Sequence, residues 1–179
     1  DTTAGTWSVY FDGSDVGLGR VNLVDFALPD AGTVLFSVNA KVTIGDLAIT
    51  PQDILKFSAA SLGTTTSGTL SLYFDGSDVG ITPRMNIDGA SPKGGTLYLT
   101  TANAISRGGL SAADEDVFVC NSAVFGANSQ CNFAPDLYFD GSAWGRPVGI
   151  AFSKRYLGQP ASAADGAGGW WIAAVRDAG

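Results

Sequence analysis

The sequence predicts an all-β protein built from three tandem four-stranded units, and three observations predict it. Residues 8–18 read SVYFDGSDVGL, residues 71–81 read SLYFDGSDVGI and residues 136–146 read DLYFDGSAWGR, with Tyr10, Tyr73 and Tyr138 spaced 63 and 65 apart. A string that returns at a nearly fixed period marks a unit that buries its apolar face against its neighbours. The apolar runs are short, rich in Val, Ile, Leu, Phe, Tyr and Thr, and bounded by Gly, Pro, Asp and Ser, as strands are. No stretch sustains a 3.6-residue apolar period, so helix is not expected.

The repeat runs beyond its signature. At the same offset of 63, Gly32-Thr33-Val34-Leu35-Phe36 falls on Gly95-Thr96-Leu97-Tyr98-Leu99. Asp53-Ile54-Leu55 likewise falls on Asp116-Val117-Phe118, and Leu62-Gly63 on Phe125-Gly126. Each unit then reads as four strands. Strand a covers 23–28 and 85–90; strand b covers 33–38 and 96–101. Strand c covers 54–58, 117–121 and 171–175; strand d covers 6–11, 69–74 and 136–139. Strand d alternates, with Trp7, Val9 and Phe11 on one side and Ser8 and Tyr10 on the other. A large aromatic on the minor face implies that both faces are partly covered. The third copy is shorter. Ser162-Ala163-Ala164-Asp165 echoes Ser111-Ala112-Ala113-Asp114, and about a hairpin's length of chain is missing before the apolar residues 170–175.

The sequence opens on a strand d and closes on a strand c, so residues 1–11 are expected to complete the last unit. The whole of 1–179 then forms one repeat-built β domain, with units at approximately 12–74, 75–139 and 140–179 plus 1–11. Closure of this kind leaves no open sheet edge and gives a β-propeller-like or pseudo-three-fold arrangement. Exchange of the same strand between copies gives an oligomer or a filament instead.

Composition favours partners. Charged residues are 15% of the chain against about 25% in an average domain, and mean hydropathy is +0.17. So little polar cover suits either an extracellular β protein with Ser, Thr, Gly and Asn turns or a surface covered by other subunits. Net charge is −7, and the few cations, among them Arg146, Lys154 and Arg155, form no basic stripe, which argues against nucleic acid. No apolar run is long enough for a membrane-spanning helix. A chain opening at Asp1 without initiator Met or signal peptide fits a mature secreted or cell-surface protein.

The two cysteines, Cys120 and Cys131, flank one predicted hairpin and are expected to form a disulfide, which fits an oxidising compartment. Histidine is absent, which removes Ser-His-Asp and Cys-His nucleophile systems and His-ligated metals. A carboxylate pair, as in glycoside hydrolysis, remains. Its candidates are Asp114, Glu115 and Asp116 together with Asp25 or Asp88. An enzyme is not the expectation, because these acids recur with the repeat as structural residues do.

The FDGSD signature has two readings. As a turn, its first Asp accepts a backbone N–H two residues on and its Gly supplies a positive φ. As a calcium loop, Asp12, Ser14 and Asp15 present closely spaced oxygens, as do Asp75, Ser77 and Asp78. The third copy has Ala143 in place of the second Asp and is expected to bind calcium poorly. Trp144 stands where the other copies have Val16 and Val79; with Trp170 and Trp171 it is a candidate sugar platform or interface anchor.

The YFDGSDVGL string, with the ADED-like element at 113–116, resembles the tandem β repeats of secreted and surface-anchored bacterial proteins. That resemblance covers the first two units well and the third weakly. It implies a propeller-like extracellular β repeat and no particular catalytic residue. The expected function is therefore a non-enzymatic structural or interaction protein that self-associates into a homo-oligomer or polymer. The alternatives are a carbohydrate-binding module, calcium-dependent or not, with glycan as partner, and a carboxylate-based glycoside hydrolase.

Overall fold

A computed structural model describes residues 4–143, together with the backbone of residues 162–164 and 170–172. The described chain is all-β. Contacts cluster into two compact units, Asp1–Ala143 and Trp144–Gly179.

The first unit holds two copies of one pattern. Strands β1 (Leu23–Asp30), β2 (Thr33–Val38), β5 (Ile54–Ser61) and β6 (Ser67–Phe74) form an antiparallel sheet in the order β1-β2-β5-β6. Strands β7 (Ile87–Lys93), β8 (Thr96–Thr101), β11 (Phe118–Val124) and β12 (Gln130–Phe133) repeat it in the order β12-β11-β8-β7. Two small hairpins lie between the central strands. They are β3 (Val42–Ile44) with β4 (Leu47–Ile49), and β9 (Ile105–Arg107) with β10 (Leu110–Ala112). The sequence reading missed them because three-residue strands carry too few alternations to register as a period. The second unit contributes one described hairpin, β13 (Ser162–Ala164) with β14 (Trp170–Ile172).

All six residues of β2 are buried, so its two faces serve different cores. Val34, Phe36 and Val38 join Leu18, Ile49, Leu55 and Phe57 in one cluster, with the β3–β4 hairpin as its lid. Leu35 and Ile54 point the other way and join Phe74, at the end of β6, and Ile81, Ile87, Leu97, Leu99, Ile105, Leu110 and Phe118 of the second copy. The first sheet is therefore a wall between two cores, and Leu35 and Ile54 fasten the copies apolarly. Phe36, Phe57, Phe74 and Phe118 have no exposed surface; truncating such a ring to Ala costs about 3–5 kcal/mol.

Two expectations about strand d need correction. Residues 6–11 form no strand; only Phe11 pairs, through an isolated parallel bridge to Gly63, and Trp7 is fully exposed. Alternation alone does not make a strand when no neighbour takes its backbone groups. Residues 136–139 are also not a strand: pairing runs over Gln130–Phe133 and resumes only at the Val117–Phe139 bridge. The repeat offset grows from 63 to 65 here, and Pro135, which has no N–H, sits in the inserted stretch. Residues 173–175 of the expected third strand c lie outside the described residues; the strand described nearby is Trp170–Ile172, paired with Ser162–Ala164.

The disulfide is present. Cys120 and Cys131 are bonded across β11 and β12, with Cα atoms 5.2 Å apart. One repeat earlier these positions are Phe57 and Gly68. A β-bulge interrupts both strand pairs at the same place, between Ala59 and Ser61 and between Asn121 and Val124. In the first copy the Phe57 ring lies over Gly68 so closely that a Cβ there would stand 2.7 Å from its Cζ. The same diagonal cross-strand site is thus filled once by a ring over a glycine and once by a covalent bond.

Candidate functional site

The repeated FDGSD motif is the element most open to a functional role, and its geometry is that of a joint. In the first copy Asp12 caps a 3-10 turn at Gly13–Val16. Its Oδ1 accepts from Ser14 N at 3.0 Å and from Ser14 Oγ at 2.5 Å. Asp75 and Asp140 repeat the cap on Ser77 and Ser142. Each of the first two turns ends on a left-handed glycine, Gly17 at φ 89° and Gly80 at φ 78°. A side chain there would be strained, which is why the motif keeps glycine at that place. The two Ser14 hydrogen bonds hold the Asp12 carboxyl below its ordinary value.

The second aspartate closes each copy on itself. Asp15 Oδ2 accepts from Thr66 N at 2.8 Å, and Thr66 Oγ1 accepts in turn from Asp12 N at 2.9 Å. Gly63 N donates to Tyr10 O at 2.8 Å, so the 63–66 loop is latched along the whole motif. One repeat later the latch recurs with Asp78 and Ser129, Ser129 and Asp75, and Gly126 and Tyr73. Thr66 and Ser129 are both buried.

A third aspartate, which sequence reasoning did not place at the motif, ties one copy to the next. Asp53 is 4% exposed; its Oδ2 accepts from Thr50 N at 2.8 Å and Thr50 Oγ1 at 2.6 Å. Its Oδ1 accepts from Gly76 N, inside the following motif, at 3.3 Å. Asp116, equally buried, does the same for Ala113 N at 2.7 Å and for Gly141 N at 2.9 Å. Burial pushes the Asp53 carboxyl above its ordinary value, against the pull of the Thr50 hydrogen bonds. The signal was in the sequence: an Asp beside apolar strand residues, repeated at offset 63, is costly to bury unless it is bonded. Gly76 and Gly141 also have no room for a Cβ, being pressed against the Gln52 carbonyl and against Glu115.

The other candidates are placed as follows. Asp116 of the acidic run is the joint residue just described. Asp25 and Asp88 lie one repeat apart and near enough to interact. Asp25 accepts from Ala90 N at 2.7 Å and Asp88 from Thr100 Oγ1 at 2.7 Å. Burial raises the Asp25 carboxyl, the Ala90 N–H opposes it and the Asp88 charge adds a smaller upward push. Among the described residues no three His, Cys, Asp or Glu converge as metal ligands. Trp144 lies outside the described residues, and Trp170 and Trp171 are placed by the backbone of β14 alone.

Two equivalent clefts flank the motif. One, of about 440 Å³, is lined by Asp15, Val16, Ile44, Leu47, Thr66 and Thr69 among others. Its counterpart, of about 290 Å³, is lined by Asp78, Val79, Ser122, Ser129, Gln130 and Asn132, with the disulfide's Cys131. Neither lining contains an aromatic ring.

Asp53→Ala leaves two backbone N–H groups without their acceptor and is expected to cost about 3 kcal/mol, whereas removing the exposed Asp30 carboxyl costs about 0.5 kcal/mol. Urea unfolding of the two variants tests the contrast, and equal effects would contradict the joint. Asp25 gives a pH dependence. Its folded-state value is raised, so the stability it supports is complete below the unfolded value of about 3.9 and is lost as pH rises through the folded value. Asn at this position keeps a carbonyl for the Ala90 N–H and carries no charge. Asp25→Asn is therefore expected to melt about 2 °C above wild type near neutral pH, the gap closing toward about pH 3. A gap that does not change with pH would contradict it.

Comparison with known protein families, curated proteins and solved structures returned no match, so the functional reading rests on this geometry.

Proposed function

We propose that this chain is a non-enzymatic structural and interaction protein of the cell exterior, whose repeats self-associate into an oligomer or filament. One observation carries the reading: the residues that define the repeat direct their side-chain hydrogen bonds into the array itself, within a copy or onto the next one. Asp12, Asp15, Asp53 and their counterparts each accept backbone or hydroxyl hydrogens within the protein. A disulfide and a low share of charged residues are compatible with secretion. Outward-facing apolar side chains support self-association: Phe26 is 65% exposed on edge strand β1, with Leu23 and Leu28 on the same strand, and Trp7 and Tyr138 elsewhere. Within this reading the units follow one another in a propeller-like or pseudo-three-fold array. The tandem likeness to secreted bacterial β repeats belongs to the same reading.

Carbohydrate binding is the second reading, and the paired clefts beside Asp15 and Asp78 favour it. Their lack of an aromatic platform places it second. Light scattering on a sizing column and negative-stain microscopy test the first reading, with a glycan array run with and without calcium as companion. Discrete or fibrous assemblies and a blank array are expected. A strict monomer that binds a defined glycan would contradict the proposal.

A further inference from the structure

We infer that residues 4–11 are an intermolecular strand, which adds to the free side of β14 in a second copy of the chain. The inference rests on the self-association reading and names its joint.

Residues 4–11 read AGTWSVYF; Ser67–Phe74, one repeat later, reads SGTLSLYF. The later copy is strand β6, hydrogen-bonded along β5 from Phe74 opposite Ile54 to Ser67 opposite Ser61. The earlier copy keeps five of the eight residues and has no strand beside it among the described residues: residues 4–10 are all exposed. Two glycines carry the argument further. Gly68 is needed because the Phe57 ring and the Ser58 carbonyl leave no space for a Cβ, yet Gly5, at the same register, has nothing within 4 Å. Gly76 and Gly141 are pressed against Gln52 and Glu115 of the preceding copy, yet a Cβ on Gly13 would meet only Leu18 and Phe11, at 3.4 and 3.5 Å. The first motif thus keeps two glycines shaped for a neighbour that the described residues do not supply. Trp7 repeats the pattern. It is 101% exposed, whereas its counterpart Leu70 packs against the first core opposite Phe57.

The missing neighbour is a strand of type c, since that is what β6 and β12 lie against. The first two such strands, β5 and β11, are already paired on both sides. Among the described residues β14 is hydrogen-bonded to β13 alone. The offset that carries Ser111–Asp114 onto 162–165 also carries Cys120, and hence Phe57, onto Trp171. A ring at the register of Phe57 is what the glycine at position 5 is made to receive. Strand addition of this kind draws affinity from main-chain hydrogen bonds and register from the side chains that alternate along it.

Cross-linking tests the joint directly. Gly5→Cys and Trp171→Cys stand where the native Cys131 and Cys120 are bonded. The two single variants, mixed and oxidised, are expected to give a disulfide dimer containing one chain of each. Gly45→Cys, at the exposed tip of the first small hairpin, is expected to give none with Trp171→Cys. By light scattering, Gly5→Leu is expected to reduce the wild-type assembly to single chains, and a peptide of residues 4–11 is expected to do the same when added in excess. Gly19→Ala, which has room for its Cβ, should leave the assembly intact. Assemblies that persist in Gly5→Leu without cross-linking would overturn this joint and leave self-association standing. A wild-type chain that is monomeric at every concentration would overturn both. A double variant that links only within single chains would overturn the exchange between copies.

Discussion

The structure depends on how a tight turn satisfies its backbone. The FDGS turn bonds only the Gly17 and Leu18 N–H groups onto its own carbonyls, and the N–H groups at its start turn to side chains instead. At the second motif Ser77 N is answered by Asp75 within the turn, Asp75 N by the Ser129 hydroxyl and Gly76 N by Asp53 of the copy before, while Asp78 accepts from Ser129 N of the loop that closes its own copy. A carboxylate acceptor gives a stronger hydrogen bond than a neutral one. It also tolerates burial only when bonded, so the arrangement holds the turn and the aspartates to one geometry. The apolar contacts follow from it. Once the motif is fixed at the end of β6, Phe74 and Ile81 are placed beside Leu35 and Ile54, and the second core closes over the back of the first sheet.

Seen this way, the chain's repeat is a fastening device as much as a fold. Each copy carries one latch to itself and one to its successor, and the third motif keeps the incoming latch from Asp116 while Ala143 stands where the carboxylate of the self-latch would be. Such units contribute stability through nearest-neighbour interfaces, as solenoid repeats do. An array organised by joints has its functional surfaces at free strands and exposed apolar edges. Among the described residues, 4–10 and the Phe26 side of β1 are exposed, and on the proposed reading they are where copies meet.

The four-stranded sheets were legible because the second copy repeated the strand pattern of the first at a constant offset. β2 and β8 fall where strand b was read, at 33–38 and 96–101. The disulfide was legible from two cysteines flanking one hairpin. The small hairpins were not, since Val42–Ile44 and Leu110–Ala112 are shorter than any period. Residues 6–11 were read as a strand because their alternation is that of Ser67–Phe74; what alternation does not report is whether a neighbour is present to bond them. At the motif, the turn role of Asp12 followed from local chemistry, two residues away. The roles of Asp15, with Thr66, and of Asp53, with Gly76, span 51 and 23 residues, and only the folded chain brings those partners together.

Native-state hydrogen exchange of individual amides tests the joint most directly, because the account assigns each bonded N–H a partner. The amides of Thr66, Gly76, Ser129 and Gly141 lie in turns and loops, where unbonded groups exchange quickly. The account predicts that they exchange as slowly as Phe36 and Leu99 in the central strands, and that Asp53→Ala speeds Gly76 while leaving Ser129 slow. Exchange of all four at the rate of an open loop, with the central strands protected, would contradict it.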